Sequence, residues 1–105
     1  MATFLLISRH SPENCPMFNE KARKLWLEYA SKSEELSKKH GAKRVGAWSV
    51  PTEHLYVEVF EIPSLGAFEK LGMEPEILAW GAYETYEVKL AYSLKEVTQM
   101  LQQTK

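Results

Sequence analysis

The chain has 105 residues, 45% hydrophobic and 26% charged, the make-up of one ordinary globular domain spanning 1–105, and this excludes a disordered segment. A formal net charge of −1 speaks against nucleic acid or a membrane surface as a partner. The single cysteine, Cys15, cannot form an intrachain disulfide, and the apolar run Phe4 to Ile7 is too short for a signal core, so a cytoplasmic protein is expected.

Residues 3–10 read as a first strand, with Leu5 and Ile7 on one face and Phe4, Leu6, Ser8 and His10 on the other. Ser11 to Asn14 is turn chemistry, and Pro16 suits the first position of a helix. That helix is predicted over 16–40, with an apolar stripe through Phe18, Ala22, Leu25, Trp26, Tyr29, Ser33, Leu36 and His40. Its outer face carries Glu20–Lys24, Glu28–Lys32, Glu34–Lys38 and Glu35–Lys39, each in the favourable Glu-before-Lys order, and Gly41 supplies the stop.

Residues 43–50 and 53–62 read as two strands joined at Pro51-Thr52, with Leu55, Val57 and Val59 opposite His54, Tyr56, Glu58 and Phe60. A short helix follows from Ser64 to just before Gly72, and Glu74-Pro75-Glu76 restarts a brief one carrying Ile77, Leu78 and Trp80. The last strand is predicted over 83–92. Ser93 and Glu96 form a capping box for a terminal helix burying Leu94, Val97 and Leu101 and fraying over Gln102 to Lys105.

This order, β-α-β-β-α-β plus a helix, is the split pattern of an α+β, ferredoxin-like domain with a four-stranded antiparallel-type sheet. The first and third strands are expected as parallel central neighbours. The aliphatic faces Leu5/Ile7 and Leu55/Val57/Val59 are expected to meet the helices. The opposite face, with Phe4, His10, Trp48, Tyr56, Glu58 and Phe60, then needs a cover, and a second copy of the sheet is the economical one.

On this pattern the chain resembles the dimeric α+β barrel superfamily, which includes muconolactone isomerase-like proteins, cofactor-independent monooxygenases of antibiotic biosynthesis and amino-acid-sensing regulator domains. The segments His10-Ser-Pro-Glu-Asn-Cys-Pro16 and Pro63-Ser-Leu with Met73-Glu-Pro-Glu76 look like small prokaryotic proteins of unknown function within it. The resemblance implies a homodimer holding a small, often aromatic or apolar organic ligand between its sheets. It carries over no catalytic residue and implies no cofactor.

Two residues are the candidate proton-handling groups. His10 ends a strand at which both helix N-termini are expected, where backbone donors suit an anion. Glu58 sits mid-strand among aromatics, where burial raises a carboxyl pKa. Their bland readings are a turn-closing polar residue and a salt bridge.

Trp48, Tyr56, Phe60 and Tyr86 are the candidate walls, or plain core. His54 and Cys15 complete the candidate ligand-contacting set, and Cys15 reads equally as a buried small side chain or a helix-start thiol. His10, Cys15 and a carboxylate are one conceivable metal set, but without CxxC or HxxxH spacing no metal is expected. His54, starting a strand parallel to that of His10, is placed at the opposite end of the sheet. Lys38, Lys39, Lys43 and Arg44 read as a solvated helix end and loop.

The functional expectation is a cofactor-free isomerase or monooxygenase acting on a small apolar or aromatic compound. The alternatives are a non-catalytic ligand sensor, with an apolar pocket and no poised acid or base, and a protein-interaction module with a filled interface.

Overall fold

The computed structural model describes residues 1–104. Its strands are β1 (Ala2–His10), β2 (Lys43–Val50), β3 (Leu55–Ile62) and β4 (Glu84–Ala91); its helices are α1 (Glu20–Lys39), α2 (Leu65–Gly72), α3 (Pro75–Gly81) and α4 (Leu94–Gln103). The sheet order is β2-β3-β1-β4, with every neighbouring pair antiparallel. The protein is therefore an α+β domain of ferredoxin-like topology.

β1 and β3 run antiparallel, against expectation, in the register Leu6↔Glu58 and Arg9↔Leu55. The α1 crossover returns β2 in the direction of β1, and the tight β2–β3 connection reverses it, so β3 must oppose both. The start of β3 thus meets the end of β1, and His54 and His10 share one end of the sheet. For the same reason α2, which leaves the far end of β3, starts at the end opposite His10. Only α1 starts near it.

The faces are also exchanged relative to expectation. Phe4, Ser8, His10, Glu58, Phe60 and Ile62 are buried, and the rings among them pack against the chain's own helices: Phe4 and Phe60 lie 5.6 and 5.9 Å from Phe68 between ring centroids. Alternation decides which residues share a face. It does not decide which face takes the helices when both are apolar, and here the bulkier side chains fill the space beneath them. These rings therefore face the chain's own helices and not the open side of the sheet. The open face carries Leu5, Ile7, Leu55, Val57 and Val59, none of them buried.

The core of Phe4, Ala42, Ile62 and Leu71, with Leu36, Phe68, Ile77 and Val88 against it, occupies the α2 end of the molecule. α1 starts at Glu20, four residues later than expected, because Asn19 accepts the Ala22 N–H at 3.0 Å and caps it, leaving Phe18 83% exposed. Glu28–Lys32 and Glu34–Lys38 form at 3.9 and 3.6 Å, whereas Lys39 turns to Glu74 at 2.9 Å.

The Ser93/Glu96 capping box forms as expected, at 3.0 and 3.1 Å. The stripe it introduces is not buried: Leu94, Val97 and Leu101 face solvent in the protomer. Gln102 and Gln103 are helical rather than frayed, and Lys105 lies outside the described residues.

Candidate functional site

A half-open pocket of about 260 Å³ lies on the helix side of the sheet. α1 supplies Trp26, Tyr29 and Ala30; β2 supplies Arg44, Ala47, Trp48 and Ser49; β3 supplies Tyr56 and Glu58; Trp80 and Glu84 close it from α3 and β4. Helical spacing puts Trp26, Tyr29 and Ala30 on one surface of α1. Strand alternation aims Tyr56 and Glu58 at them, and Trp26 and Tyr56 stack with centroids 6.1 Å apart.

Glu58 is 7% exposed. Both its oxygens accept the Tyr29 hydroxyl, at 2.9 and 3.0 Å, and the Arg44 guanidinium stands 3.4 Å from Oε2. Arg44 also donates to Ser33 Oγ at 3.0 Å, so it is a fixed, half-buried cation rather than part of a solvated loop. Burial, reinforced by the Glu58 charge, pushes the Tyr29 hydroxyl far above the usual phenol range and keeps it a donor. Burial likewise pushes Tyr56 up to about 12, helped by the charges of Cys15 and Glu84.

Glu84 has a different environment. Burial, and then the neighbouring Glu58 charge, push its carboxyl up to about 8, against a lowering hydrogen bond from Trp80. Its Oε2 is buried with no partner in the protein. The pocket therefore holds two carboxyl groups in unlike surroundings, Glu58 paired with Arg44 and Tyr29, and Glu84 with one oxygen unpartnered.

Behind the pocket wall stand His10, His54 and Cys15. The Pro12–Asn14 turn closes on Cys15, whose carbonyl then accepts the Phe18 and Asn19 N–H groups at 3.0 and 2.8 Å, holding Cys15 4% exposed. His54 ends the Pro51–Glu53 turn in the left-handed region, φ 53°, which departs from strand alternation.

The His10 N–H donates to the His54 carbonyl at 3.1 Å, and His10 Nε2 and His54 Nδ1 lie 3.3 Å apart. Burial, and then His54, hold His10 below the usual imidazole range. The His10 ring packs on Tyr56 and Trp80, with centroids at 5.6 and 6.1 Å.

Of the residues singled out in the sequence, Glu58 and Tyr56 line the pocket; Trp48 borders it from the edge strand, paired with Val57 of the open face rather than on the Tyr56 and Glu58 face where it was expected, and 59% exposed. His10, His54 and Cys15 come together beside it. Phe60 lies in the core against Phe68, and Tyr86 is 62% exposed on the other edge strand; neither lines the pocket.

The sequence reading missed Arg44, Glu84 and the pocket roles of Trp26, Tyr29 and Trp80. The spacing of Trp26 and Tyr29 marked their helix face, but nothing local distinguished Glu84 from any acidic residue opening a strand.

An α+β, ferredoxin-like domain with an aromatic pocket under its helices is thus the class of protein defined. No protein-family model matches the sequence, and no curated protein is similar to it. Solved structures do share the fold. An antibiotic biosynthesis monooxygenase superposes with a TM-score of 0.60 at 12% identity, over 90% of this chain and 99% of that one. A variant of SnoaB, a cofactor-independent oxygenase from Streptomyces nogalater, gives 0.56 at 16%, over 89% and 92%. Protein Atu4242 from Agrobacterium tumefaciens gives 0.58 at 17%, over 90% and 95%. These structures share the ferredoxin-like α+β fold that the sequence pattern implied. At such identities the likeness is one of fold.

Proposed function

We propose that the chain binds a small planar aromatic compound, of one or two rings and bearing an acidic hydroxyl, and moves a proton on it without an organic cofactor. Two carboxyl groups with unlike partners in one aromatic pocket carry this reading. Trp26, Tyr56 and Trp80 offer ring faces and edges. Arg44 offers the charge that attracts a phenolate, and Glu84, poised near neutrality, takes or returns the proton.

The shape-sharing oxygenases support the reaction class, an isomerisation or oxygenation begun by deprotonation. A sensor would need no poised acid or base, and the Glu84 environment weighs against that alternative. The roles expected for Glu58 and His10 change accordingly: Glu58 positions Arg44 and Tyr29, and His10 backs the pocket wall.

The test is a titration with 4-nitrophenol, whose ionised form is visible by absorbance. Saturable binding as the phenolate is expected, weakened at least tenfold in Trp26→Ala and in Arg44→Met. Glu84→Gln should retain affinity yet lose proton exchange on a bound substrate. Absence of saturable binding, or equal affinity in all variants, would remove the proposal.

A homodimer is part of the same proposal, on a different face from that first expected. The aliphatic open side of the sheet and the bare stripe of α4 are the surfaces it would bury.

A further inference from the structure

The end of the sheet that holds His10 also holds the molecule's only cysteine and its one left-handed histidine, on three separate segments: the end of β1, the Pro12–Asn14 turn and the β2–β3 turn. One ligand-type atom from each of His10, Cys15 and His54 lies within 4.8 Å of the other two. From this convergence we infer that His10, Cys15 and His54 form a binding site for a zinc-class divalent ion.

The nitrogen spacing is compatible with a shared metal. His10 Nε2 and His54 Nδ1 are 3.3 Å apart, longer than the usual ~2.7–3.2 Å of an N–H donor and its acceptor. Two nitrogens bound tetrahedrally at about 2.0–2.1 Å from zinc stand about 3.3–3.4 Å apart. Two imidazoles and a thiolate are a borderline-soft donor set, which selects zinc over magnesium or calcium. Three protein ligands leave one tetrahedral position for water or an oxygen donor, as in catalytic rather than structural sites.

A further pair of atoms fits the assignment. With Nε2 on a metal, His10 carries its proton on Nδ1, which is buried without a partner in the protein. Glu84 sits opposite His10 in the β1–β4 register, and its buried Oε2 also lacks a partner. Both atoms, on paired strands, are left for an outer-sphere partner such as one bridging water, the kind of contact that orients metal-bound histidines. His54, only partly buried, gives the ion a way in.

The site adjoins the pocket and shares Glu84 with it, but it needs no organic ligand, so its test is independent of the pocket reading. Cobalt(II) titrated into the reduced, full-length chain tests it directly. One cobalt per chain is expected, with a thiolate-to-cobalt charge-transfer band and the strong visible bands of tetrahedral cobalt, all bleached by zinc. Cys15→Ser should abolish the charge-transfer band. His54→Asn, chosen because asparagine tolerates the left-handed backbone, should weaken binding at least tenfold, and His40→Gln should leave it unchanged.

The wild-type spectrum decides even where a variant unfolds. A weak octahedral spectrum without charge transfer, or affinity indifferent to both ligand variants, overturns the site. Copper(I) binding that zinc cannot match overturns the choice of ion.

Discussion

Tyr29 donates to both oxygens of Glu58, and Arg44 supplies the nearby positive charge, so the three act as one buried unit. Removing the cation leaves a carboxylate under α1 without compensation, and such losses cost about 3–5 kcal/mol where the pair is fully buried. Arg44 is partly exposed, so Arg44→Met is expected to lower unfolding stability by about 2 kcal/mol at neutral pH, measured by urea denaturation. Tyr29→Phe removes one donor only and should cost about 1–2 kcal/mol.

pH acts on two neighbours in opposite directions. The carboxyl of Glu84 is raised, so the folded chain holds a proton there that the unfolded chain releases above about 4.5. Its contribution is fully present below that pH and is lost as pH rises through about 8, by roughly 3–5 kcal/mol at most. His10 is lowered, so its contribution is present above its usual value of 6.5 and lost as pH falls below it. Stability should therefore decline on both sides of a weakly acid optimum. Glu84→Gln should flatten only the alkaline side in thermal melts across pH; an unchanged alkaline limb would show that Glu84 is not buried as described.

Among the elements, α1 and α4 are equally well capped but differ in what capping secures. α1 buries Ala22, Ser33 and Ser37, and it is tied to α3 through Lys32–Glu76 at 3.3 Å and the Glu74 contacts of Lys39 and His40, both at 2.9 Å. Asn19→Ala should cost about 1 kcal/mol of global stability. α4 buries no residue. Ser93→Ala should speed amide exchange within α4 while leaving the protomer's unfolding midpoint nearly unchanged. A large global loss would mean that α4 packs on something, and the partner subunit is the candidate.

At the scale of the whole molecule the protomer is more extended than a compact domain of its length. The radius of gyration is 15.5 Å, against about 13 Å for a compact domain of this length. The accessible surface is 7291 Å², against roughly 6,000 Å² for a folded monomer of 12.1 kDa. The excess exceeds the ~800 Å² that one partner contributes to a standard interface, and the exposed apolar residues include Leu94, Met100 and Leu101 of α4.

Among the described residues no helix is long and apolar enough to cross a membrane. Light scattering is expected to report a dimer. Val57→Glu, on the open face, should convert it to folded monomers; a monomeric wild-type chain would leave that face without its proposed cover.

Element order, the helix start at Ser64, the capping box at Ser93, the break before Pro75 and the grouping of Tyr56 with Glu58 were all legible in the chain. Each depends on interactions within a few residues, which local sequence specifies. Which way β3 runs, which face lies under the helices and which residues meet at one sheet end depend on long-range pairing and on the volume between layers. For that reason the sequence places His10 and His54 at opposite ends although they touch, gives no sign of Glu84, and marks Arg44 as solvated although it is fixed against Ser33 and Glu58. The sequence determined the parts and their order. Only the tertiary structure decided which side chains became neighbours, because strand direction and packing are settled by contacts between residues distant along the chain.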